Sequence, residues 1–296
     1  MTNWFQTNAA YDLFSQSGDF EVVRVESEMW LCQVAVSGAW WCRRGIVQGG
    51  VAQKHSQDEL SDFQRQTMDT DLARLLTEIK NLCPKKHCVY VEIRNFDDYA
   101  AFRHLFEQQG FAYNPHYDVH LRIASTETMF SRMHDSKQRA LKKALAEGCT
   151  WREVATEDDV RAFYAILKTL YRTKVKRPLP SLDFFLQAWR QGVTVLVTEH
   201  DSRITGGVLM PVMTGKNIAY EWYICGGIMS TWAMMEWGSA HNISMIDMMG
   251  AGEPDVPYGV RDFKLQMGGT LHEFGRFIWI NNNLKYKLGK LIISYL

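Results

Sequence analysis

Three short runs near the N-terminus, FEVVRVE (20–26), WLCQVAV (30–36) and WWCRRGIV (40–47), are rich in β-branched and aromatic residues and have the length of strands. The period then changes. Leu72, Leu75, Leu76 and Ile79 recur at helical spacing, which predicts a helix over 62–82 closed by Pro84. CVYVEIR (88–94) predicts a strand, 97–109 a helix capped by Asp97 and ended by Gly110, and 111–123 a further strand. The second half repeats this order. Strands at 193–200, 203–213 and 217–224 are joined by the tight turns Asp201-Ser202 and Gly215-Lys216. A helix at 231–242, a strand at 244–249, a short helix at 260–267 and a strand at 270–280 follow. Between the halves, 126–147, 157–174 and 181–191 read as helices and 149–154 as a short strand. Both halves thus read βββαβαβ. That repeat predicts an α+β chain of two similar domains, 1–125 and 126–296, each a mixed sheet flanked by helices.

The chain has 296 residues, 46% of them hydrophobic, enough to bury one large core or two medium ones. Its 33 basic and 33 acidic residues cancel, which argues against nucleic-acid binding through bulk charge and leaves room only for a local basic groove. The N-terminus has no basic region followed by an apolar core, and no run is long enough to span a bilayer, so the expectation is a soluble, cytoplasmic protein. Six scattered cysteines read as reduced thiols; Cys83, His87 and Cys88 lack a second ligand cluster for zinc. His116, Asp118 and His120 alternate along one strand, but one strand supplies too few ligands, and no metal is expected.

Several motifs resemble a known family. YGVRDFK followed by a glycine pair (258–269) is similar to the C-terminal motif of the Fem group (FemABX-like), peptidyltransferases of the GNAT acyltransferase superfamily. KQRALKKALAEG (137–148), the aromatic helix and Pro-containing link within 159–185, and ISMIDMMGAGEP (243–254) add to the likeness, which covers roughly residues 88–280. Two features depart from the family pattern. Met267-Gly268-Gly269 stands where Phe-Gly is usual, and 174–193 holds only one short helix in place of a helical hairpin. The resemblance implies tandem GNAT-like folds and transfer of an amino acid from aminoacyl-tRNA to an amine of a peptidoglycan precursor. It implies no tightly bound cofactor.

Acyl transfer to an amine passes through a tetrahedral oxyanion that a fixed cation stabilises. The resemblance implies that role for Lys264, with Phe263 beside it to exclude water; from the pattern alone, a solvated or helix-capping lysine is the plainer reading. Asp247 ends an otherwise apolar strand, where it can accept a proton from the attacking amine or cap the following turn. Glu221 sits inside an aromatic strand and is a second candidate base. Tyr164, Tyr171, Tyr220 and Tyr258 can line a cleft, together with Arg261 and Arg177. Arg139, Lys142 and Lys143 form a basic stripe, and Arg172 to Arg177 a second basic run; either would suit a diphosphate or the 3′ end of a tRNA, although such faces are usually just solvated.

An acyl-CoA-dependent GNAT is the alternative. Its glycine-rich pyrophosphate turn is matched neither by 203–208, which falls on a hairpin strand, nor by 266–269. A third reading is a ligand-binding relative without catalysis. The tail 281–296 predicts a helix capped by Asn283, with Leu284, Leu288, Leu291 and Ile292 on one face. That face is expected to dock on the second domain's sheet, although a transient contact with the inner membrane surface would suit a lipid-linked acceptor.

Overall fold

The structure, a computed structural model, describes residues 3–55 and 62–295. The first stretch of chain forms α1 (Asn8–Gln16), β1 (Glu21–Glu26), β2 (Trp30–Ser37), β3 (Arg43–Gly49) and β4 (Ala52–Gln53). Next come α2 (Asp62–Lys85), β5 (Cys88–Asn95), α3 (Arg103–Gln108), β6 (Ala112–Asn114) and β7 (Tyr117–Arg122). The middle holds α4 (Thr126–Arg132), α5 (Asp135–Ala146), β8 (Thr150–Glu153), α6 (Glu157–Leu170) and α7 (Leu182–Arg190). It continues through β9 (Thr194–His200), β10 (Arg203–Met210), β11 (Val212–Met213), β12 (Ile218–Tyr220) and β13 (Tyr223–Cys225). The chain closes with α8 (Ile228–Ala240), β14 (Met245–Gly250), α9 (Gly259–Gln266), β15 (Thr270–Glu273), β16 (Arg276–Ile280) and α10 (Asn283–Tyr295).

Two compact units result, with a boundary that differs from the sequence expectation of 125/126. The first runs to His116 and resumes at Glu273; the second is Tyr117–His272. The reason lies in two strand runs that look continuous in sequence. Within 111–123, β6 pairs with β16 in the first unit, whereas β7 pairs antiparallel with β14 in the second (Leu121 opposite Ile246, His120 opposite Asp247). Within 270–280, β15 joins the sheet of β7 and β16 pairs with β5 and β6. Gly275 sits at the second break with φ +67°, and the Tyr113 ring occupies the space a Cβ would need.

In the first unit a seven-stranded mixed sheet runs β1-β2-β3-β5-β16-β6, with β4 beside β2 and the β3–β5 pair parallel. Leu72, Leu75, Leu76, Ile79 and Cys83 line one face of α2 and are fully buried with Val34, Val36, Val47, Val91 and Ile93 of the sheet. Phe277 from β16 stacks on Phe106 at 3.9 Å between centroids. Pro84 does not close α2, which runs to Lys85. At the next helical segment Asp98 Oδ1 accepts Ala100 N at 2.7 Å.

The second unit splits its strands into two sheets, β13-β10-β9-β8 and β11-β12-β14-β7-β15. α8 is apolar all round and packs on strands of both, burying Met229, Trp232, Met234, Met235 and Trp237. Met129, Met133, Met210, Met248 and Met267 are buried in the same core, which methionine thus largely fills. The helix predicted over 126–147 is two, interrupted at Met133, whose backbone is extended, and restarted by the His134 side chain, which accepts from Ser136 N.

Candidate active site at the splayed strands

The parallel pair at the centre of the second unit opens at one point. β12 follows β14 from Ile218 opposite Met245 to Tyr220 opposite Asp247, and Glu221 N still donates to Asp247 O at 2.9 Å. One residue later, Trp222 N donates to Leu209 O, and the chain continues as β13 beside β10. β14 deviates at the same level. Its register against β7 shifts between Asp247 and Gly250, and Met249 takes a left-handed φ of +61°. The Asp247 carboxylate fixes this bulge by accepting Met249 N at 2.7 Å.

The bulge turns three carbonyls toward one lysine. Lys264 of α9 donates its Nζ hydrogens to Met248 O, to Met249 O (3.4 Å) and to Gly250 O (3.1 Å). It is 5% exposed. Glu221, 7% exposed, brings Oε1 to 3.6 Å from Nζ, an ion contact longer than a hydrogen bond, while Oε2 is buried with no hydrogen-bond partner. Burial pushes the Glu221 carboxyl up to about 7, against the opposing pull of the Lys264 charge. The expectation that Lys264 presents its cation to an oxyanion meets a different geometry here. The ammonium hydrogens are engaged by backbone, so Lys264 holds the bulge and charges the surroundings of Glu221.

Asp247 is buried, with Oδ2 3.8 Å from His120 Nε2. His120 faces His272 at 4.4 Å between ring centroids, and Thr270 Oγ1 lies 3.2 Å from His272 Nε2. Desolvation, then the His272 charge, push His120 down to about 4, so this ring is neutral at pH 7. His116 belongs to the first unit, where Arg276 Nη2 lies 2.7 Å from its Nε2. Among the described residues no three His, Cys, Asp or Glu side chains group as a metal site.

A second cluster carries the tyrosines and the basic run. After α6 the chain makes a π-helical turn, Tyr171–Val175, and Lys176 takes φ +53°. Burial pushes the Tyr171 phenol up to about 12, and the Arg177 charge opposes this. Tyr223 of β13 lies 6.2 Å from Tyr171 between centroids. Arg172, Lys174, Lys176 and Arg177 are all exposed.

The remaining predicted residues have other work. Tyr164 donates to Pro180 O (3.0 Å) and holds the link before α7, and Tyr220 is core. Arg261 donates to Glu253 O and Val256 O, tying the loop ahead of α9, and the Phe263 ring lies 4.7 Å from Lys137 Nζ. Arg139, Lys142 and Lys143 are exposed on α5; Lys142 lies 5.2 Å from the Phe130 ring centre and Lys143 is 3.7 Å from Glu147.

One feature escaped the sequence reading. β13 runs into Gly226 and Gly227, both with positive φ, and then into α8, whose N-cap Gly227 supplies no capping side chain. The signal was present as a glycine pair between a β-rich run and an apolar helix. Packing also requires that Gly226 lack a Cβ, since that atom would lie 2.7 Å from Gly206 Cα.

No family model and no curated protein matches the sequence. Solved structures resemble the fold. FemX is 11% identical over 97% of this chain and 94% of its own, with a TM-score of 0.67. The C-terminal domain of a putative lysylphosphatidylglycerol synthetase from Agrobacterium fabrum is also 11% identical, over 97% of this chain and 92% of that one, at 0.61. A tandem GNAT protein from the clavulanic acid biosynthesis pathway is 11% identical over 93% and 88%, at 0.53. The chain therefore has a Fem-like fold of the tandem GNAT type.

Proposed function

We propose that this chain is an acyltransferase that moves an aminoacyl group from charged tRNA to an amine, with a peptidoglycan precursor as acceptor. The observation that carries the reading is Glu221, a buried carboxyl at the splay of two parallel strands with a pKa near neutrality and one unpartnered oxygen. An acceptor ammonium must lose a proton before its nitrogen can attack an ester, and a carboxyl titrating near pH 7 is suited to take it. The nitrogen then bonds to the acyl carbon, the ester C–O bond breaks, and the tRNA 3′-oxygen leaves with a proton. The exposed basic run 172–177, which follows Tyr171 in the chain, would hold the polyanionic donor. The names of the similar structures, FemX and a putative lysylphosphatidylglycerol synthetase, agree with an aminoacyl donor.

A second reading, an acyl-CoA donor, is favoured by one observation, the Gly226–Gly227 turn opening onto the N-terminus of α8. Incubation with aminoacyl-tRNA labelled in the amino acid, and separately with acyl-CoA, distinguishes the two. Transfer of label to an amine acceptor, reduced about a hundredfold or more in Glu221→Gln, is expected. Turnover of acyl-CoA alone would favour the second reading, and turnover of neither would leave a binding protein.

A further inference from the structure

The turn between β2 and β3 presents Trp40 and Trp41, 79% and 50% exposed. Gly38 reverses the chain with φ +107° and Cys42 N donates to Ala39 O at 2.8 Å, so this is an ordered turn with two indoles at its tip. Beside it lies the first turn of α10, where Lys285 Nζ donates to Trp41 O at 2.9 Å. Asn282, one residue before the predicted Asn283, caps α10 by accepting Lys285 N at 2.9 Å. The helix is fastened by Tyr286, whose ring meets Tyr90 of β5 edge-on at 5.2 Å. At 100° per residue, Leu284 and Leu288 fall on the side away from Tyr286. They are 80% and 52% exposed, so the described part of the apolar stripe is not docked on a sheet as the sequence suggested. Lys290, Leu291 and Ile292 lie outside the residues whose side chains are described.

The two segments that carry these groups are basic in sequence, in a chain whose formal net charge is zero. Residues 274–296 contain no aspartate or glutamate but include Arg276, Lys285, Lys287 and Lys290. Residues 29–57 likewise contain no carboxylate side chain but include Arg43, Arg44 and Lys54. Arg43, Lys54 and Arg276 are paired with Glu21, Glu26 and Glu92, and Glu21 is shared with Lys86, so the positive charge of this surface is that of Lys285 and Lys287.

We propose that Trp40, Trp41, Leu284 and Leu288, with Lys285 and Lys287, form a peripheral docking surface for an anionic phospholipid bilayer. Indoles favour the headgroup level, leucines the acyl boundary, and lysines the anionic phosphates around them. Among the described residues no helix is long and apolar enough to cross a membrane, so the attachment is by surface. The proposal does not depend on which reaction the second unit performs.

The test is flotation of the full chain with vesicles of phosphatidylcholine alone or mixed with phosphatidylglycerol. Wild type is expected to float with the mixed vesicles at low salt and to be released as salt rises. Trp40→Ser with Trp41→Ser, and separately Leu284→Gln with Leu288→Gln, should each weaken partitioning by about tenfold or more. Lys285→Gln with Lys287→Gln should flatten the salt dependence. All three replace exposed side chains and should keep the wild-type circular dichroism and thermal midpoint. Quenching of tryptophan emission in the wild type by bromine-labelled acyl chains gives a readout that needs no variant. Absence of flotation and quenching would overturn the proposal, as would flotation indifferent to both apolar pairs. Binding of tRNA lost in these variants, without flotation, would assign the surface to nucleic acid instead.

Discussion

At the residue scale the second unit turns on Glu221 and Lys264. Lys264→Met keeps the apolar stem but leaves three bulge carbonyls and the Glu221 carboxylate without their cation. Removing one member of such a buried pair costs roughly 3–5 kcal/mol, so denaturant unfolding should show a large loss that deepens above pH 7, where Glu221 is ionised. A variant as stable as wild type would mean that the lysine is not anchored as described. Glu221 has its own signature. Its pKa is raised from 4.5 to about 7, so the folded state holds the proton more tightly than the unfolded chain. The stability this contributes is complete below pH 4.5 and is lost as pH rises to about 7. Glu221→Gln lacks the titration, so its stability relative to wild type should rise across that window by about 3 kcal/mol and then level off. A difference that stays flat with pH would remove Glu221 from the titrating set. The sequence marked both residues as candidates, Lys264 through its motif and Glu221 through its aromatic strand. Their pairing was not legible, because they lie far apart in sequence and the carbonyls between them belong to a bulge that no residue type announces.

At the element scale, strand existence was legible and strand continuity was not. The runs 203–213 and 217–224 read as two strands, but the chain changes sheet after Met210 and again after Tyr220, and the switch is made by backbone pairing. Gly206 shows how closely these elements approach. A Cβ there would lie 2.5 Å from Gly226 Cα and 2.7 Å from Cys225 O, both backbone atoms that cannot yield cheaply. Gly206→Ala should therefore lower stability by roughly 1–3 kcal/mol or more. Gly215→Ala, with nothing within 4 Å of its Cβ and no positive φ, should be nearly neutral. Equal thermal midpoints for the two would contradict the close approach of β10 to the Gly226 turn. The two basic runs differ in the same way. Replacing Arg172, Lys174, Lys176 and Arg177 by glutamine should weaken binding of a polyanionic donor and reduce its salt slope, because these side chains are exposed together directly after Tyr171. The same change at Arg139, Lys142 and Lys143 should do less, since Lys143 already faces Glu147 and Lys142 lies over Phe130. If the order of the two effects is reversed, the donor lies along α5.

At the scale of the whole molecule, the duplication was legible from element order, yet a simple cut into halves fails because the last strand belongs to the first unit. β16 lies between β5 and β6 and brings the fully buried Phe277 into the first core, so the chain cannot complete that sheet until its C-terminal part has been made. Two truncations separate the strand from the helix that follows it. Ending the chain after Gly275 removes β16, leaves the β5 and β6 edges unpaired and opens the space around Phe106. Losing a buried phenylalanine alone costs about 3–5 kcal/mol, so this form should not fold its first unit and should aggregate. Ending it after Asn282 keeps β16 and removes α10. The described part of α10 contributes the Tyr286–Tyr90 contact and the Lys285–Trp41 hydrogen bond, while its Leu284 and Leu288 are exposed. The expected loss is on the order of 1–2 kcal/mol, with the first unit still cooperative in thermal unfolding. If the two truncations destabilise the first unit equally, α10 carries packing as important as that of β16, and its apolar stripe is a core element rather than a surface for a bilayer.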